Sequence, residues 1–235
     1  MINNLKRMIS KFIGRNSEVK NTYYTELLET FDGKGCAICR LLESSVDKYL
    51  DNLLHEFTMD PVSRREIRES FGYCAKHTAQ FVNVAEKTNQ RLSASIVAED
   101  LANSFLKHSR KAARGVTIRG IDTVRKNPSC PICLYYAKHE KLYISEFVKA
   151  VAKEEFINKY RKNPFTCMYH LIEISRLVKD RAMLKDILEP RIEELGSVDL
   201  DLNNFIKKFD HRSGEKITDR EAVAWIKFFN MLNKK

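Results

Sequence analysis

Glycine and proline are scarce, with 8 and 5 in 235 residues, while 43% of the chain is hydrophobic. That excludes a collagen-like or low-complexity chain and leaves enough apolar mass for one or two domains with a core. No apolar run approaches the roughly 18 residues of a membrane span. No segment alternates with a period of two between turn signals, so no sheet is expected. A Gly-rich phosphate loop, a nucleophile elbow and an HExxH motif are all missing, which removes the commonest short signatures of enzyme chemistry. Residues 1–13 have neither a continuous apolar stretch nor a small-residue cleavage site. A cytoplasmic, reducing compartment is therefore expected, and the cysteines are expected to be ligands, not bridges.

All six cysteines fall in one duplicated pattern. Cys36-Ala37-Ile38-Cys39 is followed, after 34 intervening residues, by Cys74-Ala75-Lys76-His77. Cys130-Pro131-Ile132-Cys133 is followed, after 33 intervening residues, by Cys167-Met168-Tyr169-His170. The copies are offset by 94 residues at the first cysteine and 93 at the third. A lone CxxC says little, but two matching CxxC…CxxH arrays with no cysteine left over point to two four-ligand sites. The expectation is one centre per copy, Cys36, Cys39, Cys74 and His77 in the first and Cys130, Cys133, Cys167 and His170 in the second.

The chemistry follows from the donors. Residues at i and i+3 share a helix face, so both members of each pair can reach one ion. A helix N-terminus favours thiolate over thiol. Three thiolates and an imidazole suit tetrahedral Zn²⁺ with no open position, so two zinc ions are expected. Three Cys and one His can also hold an iron–sulfur cluster, and two such clusters in an electron-transfer or redox-sensing protein are the alternative. Buried free thiols would leave the duplicated spacing unexplained, and a thioredoxin-like CxxC expects a βαβ context. Structural zinc contributes about 10–16 kcal/mol in small zinc-finger peptides, against about 5–15 kcal/mol of net stability for a typical domain, so the metal is expected to be part of the fold.

The intervening segments read as helices. Leu42, Val46, Tyr49, Leu50, Leu53, Leu54 and Phe57 recur at spacings of three and four, the mark of one buried helical face. Leu134, Tyr143, Phe147, Val148 and Val151 do the same in the second copy. Asp60-Pro61 starts a short second helix in the first copy, whereas the second copy is expected to continue as one longer helix to about 160. Long helical stretches are expected over about 75–113 and 168–195, with Pro190 kinking or restarting the latter. Gly115 and Gly120 flank a linker between the copies. The remaining histidines, His55, His108, His139 and His211, have no counterpart in the repeat and are expected to be ordinary packing or surface residues.

These modules resemble an uncharacterised prokaryotic domain-of-unknown-function family of helical proteins with duplicated CxxC…CxxH motifs. The first carries the closer match, in Cys36-Ala37-Ile38-Cys39-Arg40-Leu41-Leu42-Glu43 and Phe71-Gly72-Tyr73-Cys74-Ala75-Lys76-His77. The second, Asn163-Pro164-Phe165-Thr166-Cys167, lacks the glycine. The resemblance covers about 31–195 and implies metal binding without bringing an activity.

Charge and the chain ends suggest partners. Formal net charge is +10, and residues 107–170 hold 14 Lys/Arg against 5 Asp/Glu. A concentrated positive region attracts nucleic acid or another polyanion. Met1, Ile2, Leu5, Met8, Ile9, Phe12 and Ile13 form an apolar stripe amid basic residues. It suits packing on the protein itself or on a second copy first, and an anionic membrane surface second. Residues 203–210 with Ser213-Gly214 suggest a loop, then Thr218 and Glu221 a capping box. The last helix carries Val223, Trp225, Ile226, Phe228, Phe229 and Leu232, to be packed inward or offered to a partner. The reading is an all-α bundle: an amphipathic helix (1–30), two metal-stapled modules (31–115 and 116–196), and a C-terminal loop and helix (197–235). Its expected role is a non-enzymatic metal-binding module for a protein partner or nucleic acid.

Overall fold

The computed structural model describes residues 16–31, 33, 35–114, 130–209 and 214–232. Every regular element among them is a helix, as the absence of alternation required. The apolar stripe of residues 1–13, the 115–120 linker and His211 lie outside the described residues. Helix α1 (Asn16–Glu29) leads into the first copy: α2 (Ala37–Asn52), a π-helical turn (Leu53–Phe57), α3 (Pro61–Glu69), α4 (Ala75–Lys87) and α5 (Arg91–Ala113). The second copy runs α6 (Pro131–Ala150), α7 (Glu154–Lys162), α8 (Met168–Leu177) and α9 (Arg181–Lys208), followed by α10 (Asp219–Ala222) and α11 (Ala224–Leu232).

The repeat is therefore a sequence of elements as well as ligands: a long helix, a break, a nine-residue helix, a turn, and a helix opened by a ligand pair. In the first copy the break is made by Thr58, whose hydroxyl donates to the Leu54 carbonyl at 2.8 Å, and by the Asp60 cap, which accepts from the Ser63 amide at 2.8 Å. The second copy breaks too, against the expectation of one longer helix. Lys153 donates to the Ala150 carbonyl at 2.8 Å. Glu154 and Glu155 open the new helix and Lys159, Arg161 and Lys162 close it, which is the charge order the helix dipole favours.

Other boundaries also move. The stretch 75–113 divides at Thr88–Gln90, where Asn89 takes a left-handed φ of 57°. Helix α8 ends at Leu177, and Asp180 caps α9 by accepting from the Met183 amide at 2.9 Å. Pro190 neither restarts nor ends α9. Packing of α9 along α7, α10 and α11 outweighs the one backbone bond a proline removes. The loop expected at 203–210 is helical as far as Lys208, where the ammonium reaches Glu221 at 3.0 Å. The capping box at Thr218 and Glu221 forms as read.

Two compact units result. The first gathers the described residues up to Leu41 with those from Glu140 onward; the second is Leu42–His139. They do not coincide with the tandem division at 115/116. The first unit centres on buried aromatics: Phe31, Phe147, Phe156, Tyr160 and Phe165 meet edge to face at centroid distances of 4.2–6.2 Å. Each such pair contributes about 0.5–1.5 kcal/mol beyond area burial. In the second, α3 and α4 pack on α5, and Leu42, Val46, Leu50, Leu54, Ile67, Phe81 and Val97 are buried. Each large apolar side chain so buried contributes about 1.5–3 kcal/mol.

Candidate metal centres

Every CxxC and CxxH pair sits at a helix start. Cys36 precedes α2 and Cys39 lies in its first turn; Cys130 and Cys133 hold the same places on α6. Cys74 and Cys167 are the N-caps of α4 and α8, with φ/ψ of −66°/164° and −74°/164°. His77 and His170 follow one turn later. The repeated motif thus has a repeated backbone.

The grouping differs from the one expected. Cys36 and Cys39 meet Cys167 and His170; Cys74 and His77 meet Cys130 and Cys133. Each cluster takes its CxxC from one copy and its CxxH from the other, and each lies within one compact unit. Element length explains why a copy does not close on itself. From Ala37 to Phe57 the chain is helical over 21 residues, or about 31 Å at 1.5 Å per residue. Even fully reversed, the nine residues of α3 retrace about 13 Å. Helices α6 and α7, of 20 and 9 residues, stand in the same relation. In the first unit the Ala37 amide donates to the Phe165 carbonyl at 2.8 Å, tying the start of α2 to the approach to Cys167.

In both clusters the four donor atoms lie within 4.8 Å of one another. Around His170 Nδ1 stand Cys36 Sγ at 3.3 Å, Cys39 Sγ at 3.4 Å and Cys167 Sγ at 3.3 Å, with Cys39 and Cys167 Sγ 3.9 Å apart. Around His77 Nδ1 stand Cys74 Sγ at 3.2 Å, Cys130 Sγ at 3.5 Å and Cys133 Sγ at 3.3 Å, with Cys74 and Cys133 Sγ 3.7 Å apart. Metal–sulfur bonds of about 2.3 Å and metal–nitrogen bonds of about 2.0–2.1 Å at tetrahedral angles put sulfurs about 3.8 Å apart and sulfur–nitrogen pairs about 3.6 Å apart. The residues fit a single tetrahedral ion.

The donors perturb one another strongly. Hydrogen bonds from Cys167 and Cys39 push the Cys36 thiol far below the usual range, while Cys39 is pushed far above it by Cys167, Cys36 and burial. Burial opposes charge on His170, but bonds with Cys167, Cys36 and Glu140 prevail and raise it to about 11. Burial and the Cys130 charge push Cys133 up to about 12. Burial opposes a lowered Cys74, yet the His77 amide and the neighbouring thiols bring it down. His77 is lowered by burial and by Lys76, which suits a neutral ligand. A divalent cation at either cluster would hold the thiols around it as thiolates.

The clusters differ in their surroundings. Cys39, Cys167 and His170 are buried, and His170 Nε2 lies 3.2 Å from the buried carboxylate of Glu140. Such a carboxylate fixes ring orientation and strengthens a histidine ligand. Buried Arg191 holds the approach to Cys167 by donating to the carbonyls of Thr166 and Pro164. Neither Glu140 nor Arg191 belongs to the repeat, since the offsets of 94 and 93 residues put Val46 and Ala98 in their places. Pattern reading had no signal for them. In the other cluster Cys74 and Cys133 are exposed. Among the remaining histidines, His55 Nδ1 meets Gln90 at 2.9 Å, His108 lies by the Phe71 ring and His139 stacks on Tyr135; none joins a cluster.

A family of unknown function, DUF6062, matches residues 3–116 and 95–221. The chain belongs to this family. One DUF6062 match contains the first CxxC…CxxH array and the other contains the second. The chain is also 26% identical, over 207 residues, to an uncharacterized 23.9 kDa protein in the xynA 3′ region of Caldicellulosiruptor sp. (strain Rt8B.4), covering 85% of this chain and 95% of that protein. No solved structure matches the chain.

Proposed function

We propose that the protein is a non-enzymatic, partner-binding helical protein built around two Cys₃His zinc sites. The observation that carries this reading is the spacing of the donors, four within 4.8 Å in each cluster. That spacing suits one ion; a cluster of several irons places its ligands on different metal atoms, farther apart. Four protein donors also leave no coordination position for a substrate. Elemental analysis and visible spectroscopy of anaerobically purified protein test this. Colourless protein with two zinc ions per chain is expected. Brown protein with iron and labile sulfide would replace it with the iron–sulfur reading.

The partner is read as a polyanion such as nucleic acid, engaged within residues 107–170. Lys149, Lys159 and Arg161 are engaged by Glu146, Glu155 and Asp186. Arg110, Lys111 and Arg114, by contrast, are exposed at the end of α5 and make no ion pair among the described residues. Binding of duplex DNA or RNA should weaken steeply as salt rises. Reversing these three charges should lower both affinity and salt slope; unchanged values would remove this surface. Val223, Trp225, Ile226, Phe229 and Leu232 remain exposed near or on α11, and support a protein partner or second copy at that end. No helix among the described residues is long and apolar enough to cross a membrane.

A further inference from the structure

The two centres differ in what oxidants can reach. At one, the paired sulfurs of Cys39 and Cys167, 3.9 Å apart, are buried, and the histidine is held by Glu140. At the other, Cys74 and Cys133 are more open to solvent, Cys133 the more so, with their sulfurs 3.7 Å apart. Cys74 precedes the first turn of α4 as its N-cap, so its side chain can swing without unwinding that helix.

We propose that the centre formed by Cys74, His77, Cys130 and Cys133 is a peroxide-sensitive zinc switch, in which Cys74 and Cys133 join as a disulfide and the ion leaves. The proposal rests on the zinc reading above. Metal-bound thiolates keep nucleophilic character, and exposure selects which are oxidised. One exposed thiolate attacks hydrogen peroxide: an S–O bond forms, the O–O bond breaks, and the departing hydroxide takes a proton from solvent to become water. The second thiolate attacks the sulfenic sulfur: the S–S bond forms, the S–O bond breaks, and a second hydroxide leaves and is protonated to water. The two sulfurs lose two electrons and the peroxide gains them. The sulfurs close from 3.7 Å to about 2.05 Å. His77 and Cys130 then remain as two donors, short of the four that a structural zinc site uses. The buried centre has the same donors but no exposed pair, so it keeps its ion.

The test uses the full chain loaded with zinc. Its metal content is measured first, then hydrogen peroxide is added with a chromophoric chelator present. The expected result is one of two ions released at least tenfold faster than the other. Differential alkylation and mass spectrometry should show a Cys74–Cys133 cross-link with Cys36, Cys39 and Cys167 still reduced. A thiol reductant with added zinc should restore two ions per chain. Two bound ions released together, or neither released, or a cross-link confined to other cysteines, would overturn the switch and leave the zinc reading standing. A chain that holds no zinc would overturn both.

Discussion

At the scale of single residues, the crossed grouping makes a sharp prediction. Serine at Cys36 and at Cys167 should remove the same ion, so the double variant keeps one zinc per chain. Serine at Cys36 and at Cys74 should remove both. Metal content by atomic spectroscopy separates the outcomes, and one retained zinc in the second double variant would restore the within-copy grouping. Glu140→Gln should leave the ligand count unchanged but weaken the buried centre about 10–100-fold, read as one ion more easily taken by a competing chelator. The eight Cys and His of the two clusters were legible because their spacing is duplicated. Glu140 was not, because a carboxylate 30 residues from its histidine in sequence leaves no local pattern.

At the scale of elements, turns and short helices carry the repeat. Phe71 and Gly72 take φ of 56° and 90° just before Cys74. The Gly72 amide donates to Ile67 at 2.8 Å, and the Ser70 hydroxyl to Gly72 at 2.8 Å. A Cβ at Gly72 would meet only Leu101 Cδ1, at 3.4 Å, so Gly72→Ala should cost about 1–2 kcal/mol through the backbone, read by denaturant titration of the zinc-loaded protein. Helix α3 is tied to α5 by Arg64 and Arg68 on Asp100, at 3.2 and 2.6 Å. Burial would raise the Asp100 carboxyl, but donation from Arg68 and Arg64 lowers it overall. A carboxyl lowered by folding stabilises above the unfolded value of about 3.9 and loses that contribution as pH falls through the folded value. Asp100→Asn should therefore lower stability at neutral pH by at most about 1 kcal/mol, given solvent screening, with the difference from wild type vanishing in strong acid. Thermal melts across pH read this directly. The caps at Asp60 and Thr218 were legible because a helix start depends on a few adjacent residues. The break at Val151–Lys153 was not legible in the apolar period, because no Gly or Pro marks it and only the charge reversal from Glu154 to Lys162 signals a new helix.

At the scale of the whole molecule, removing metal should melt more than two local sites, because each cluster joins helix starts more than 50 residues apart in sequence. A strong chelator should lower the unfolding temperature and blunt its cooperativity. Acidification should do the same, since protons compete for thiolate and imidazole; circular dichroism with metal release followed together checks the coupling. A melt indifferent to the chelator would mean the helices close without an ion. The sequence by itself determined the helical class and the helix-start placement of the eight repeated Cys and His, since period, capping and spacing are local properties. Only the tertiary structure decided which CxxC meets which CxxH. Motif spacing is the same for either grouping; helix lengths and packing, summed over the whole chain, bring one set of sulfurs and nitrogens within reach and carry the other apart.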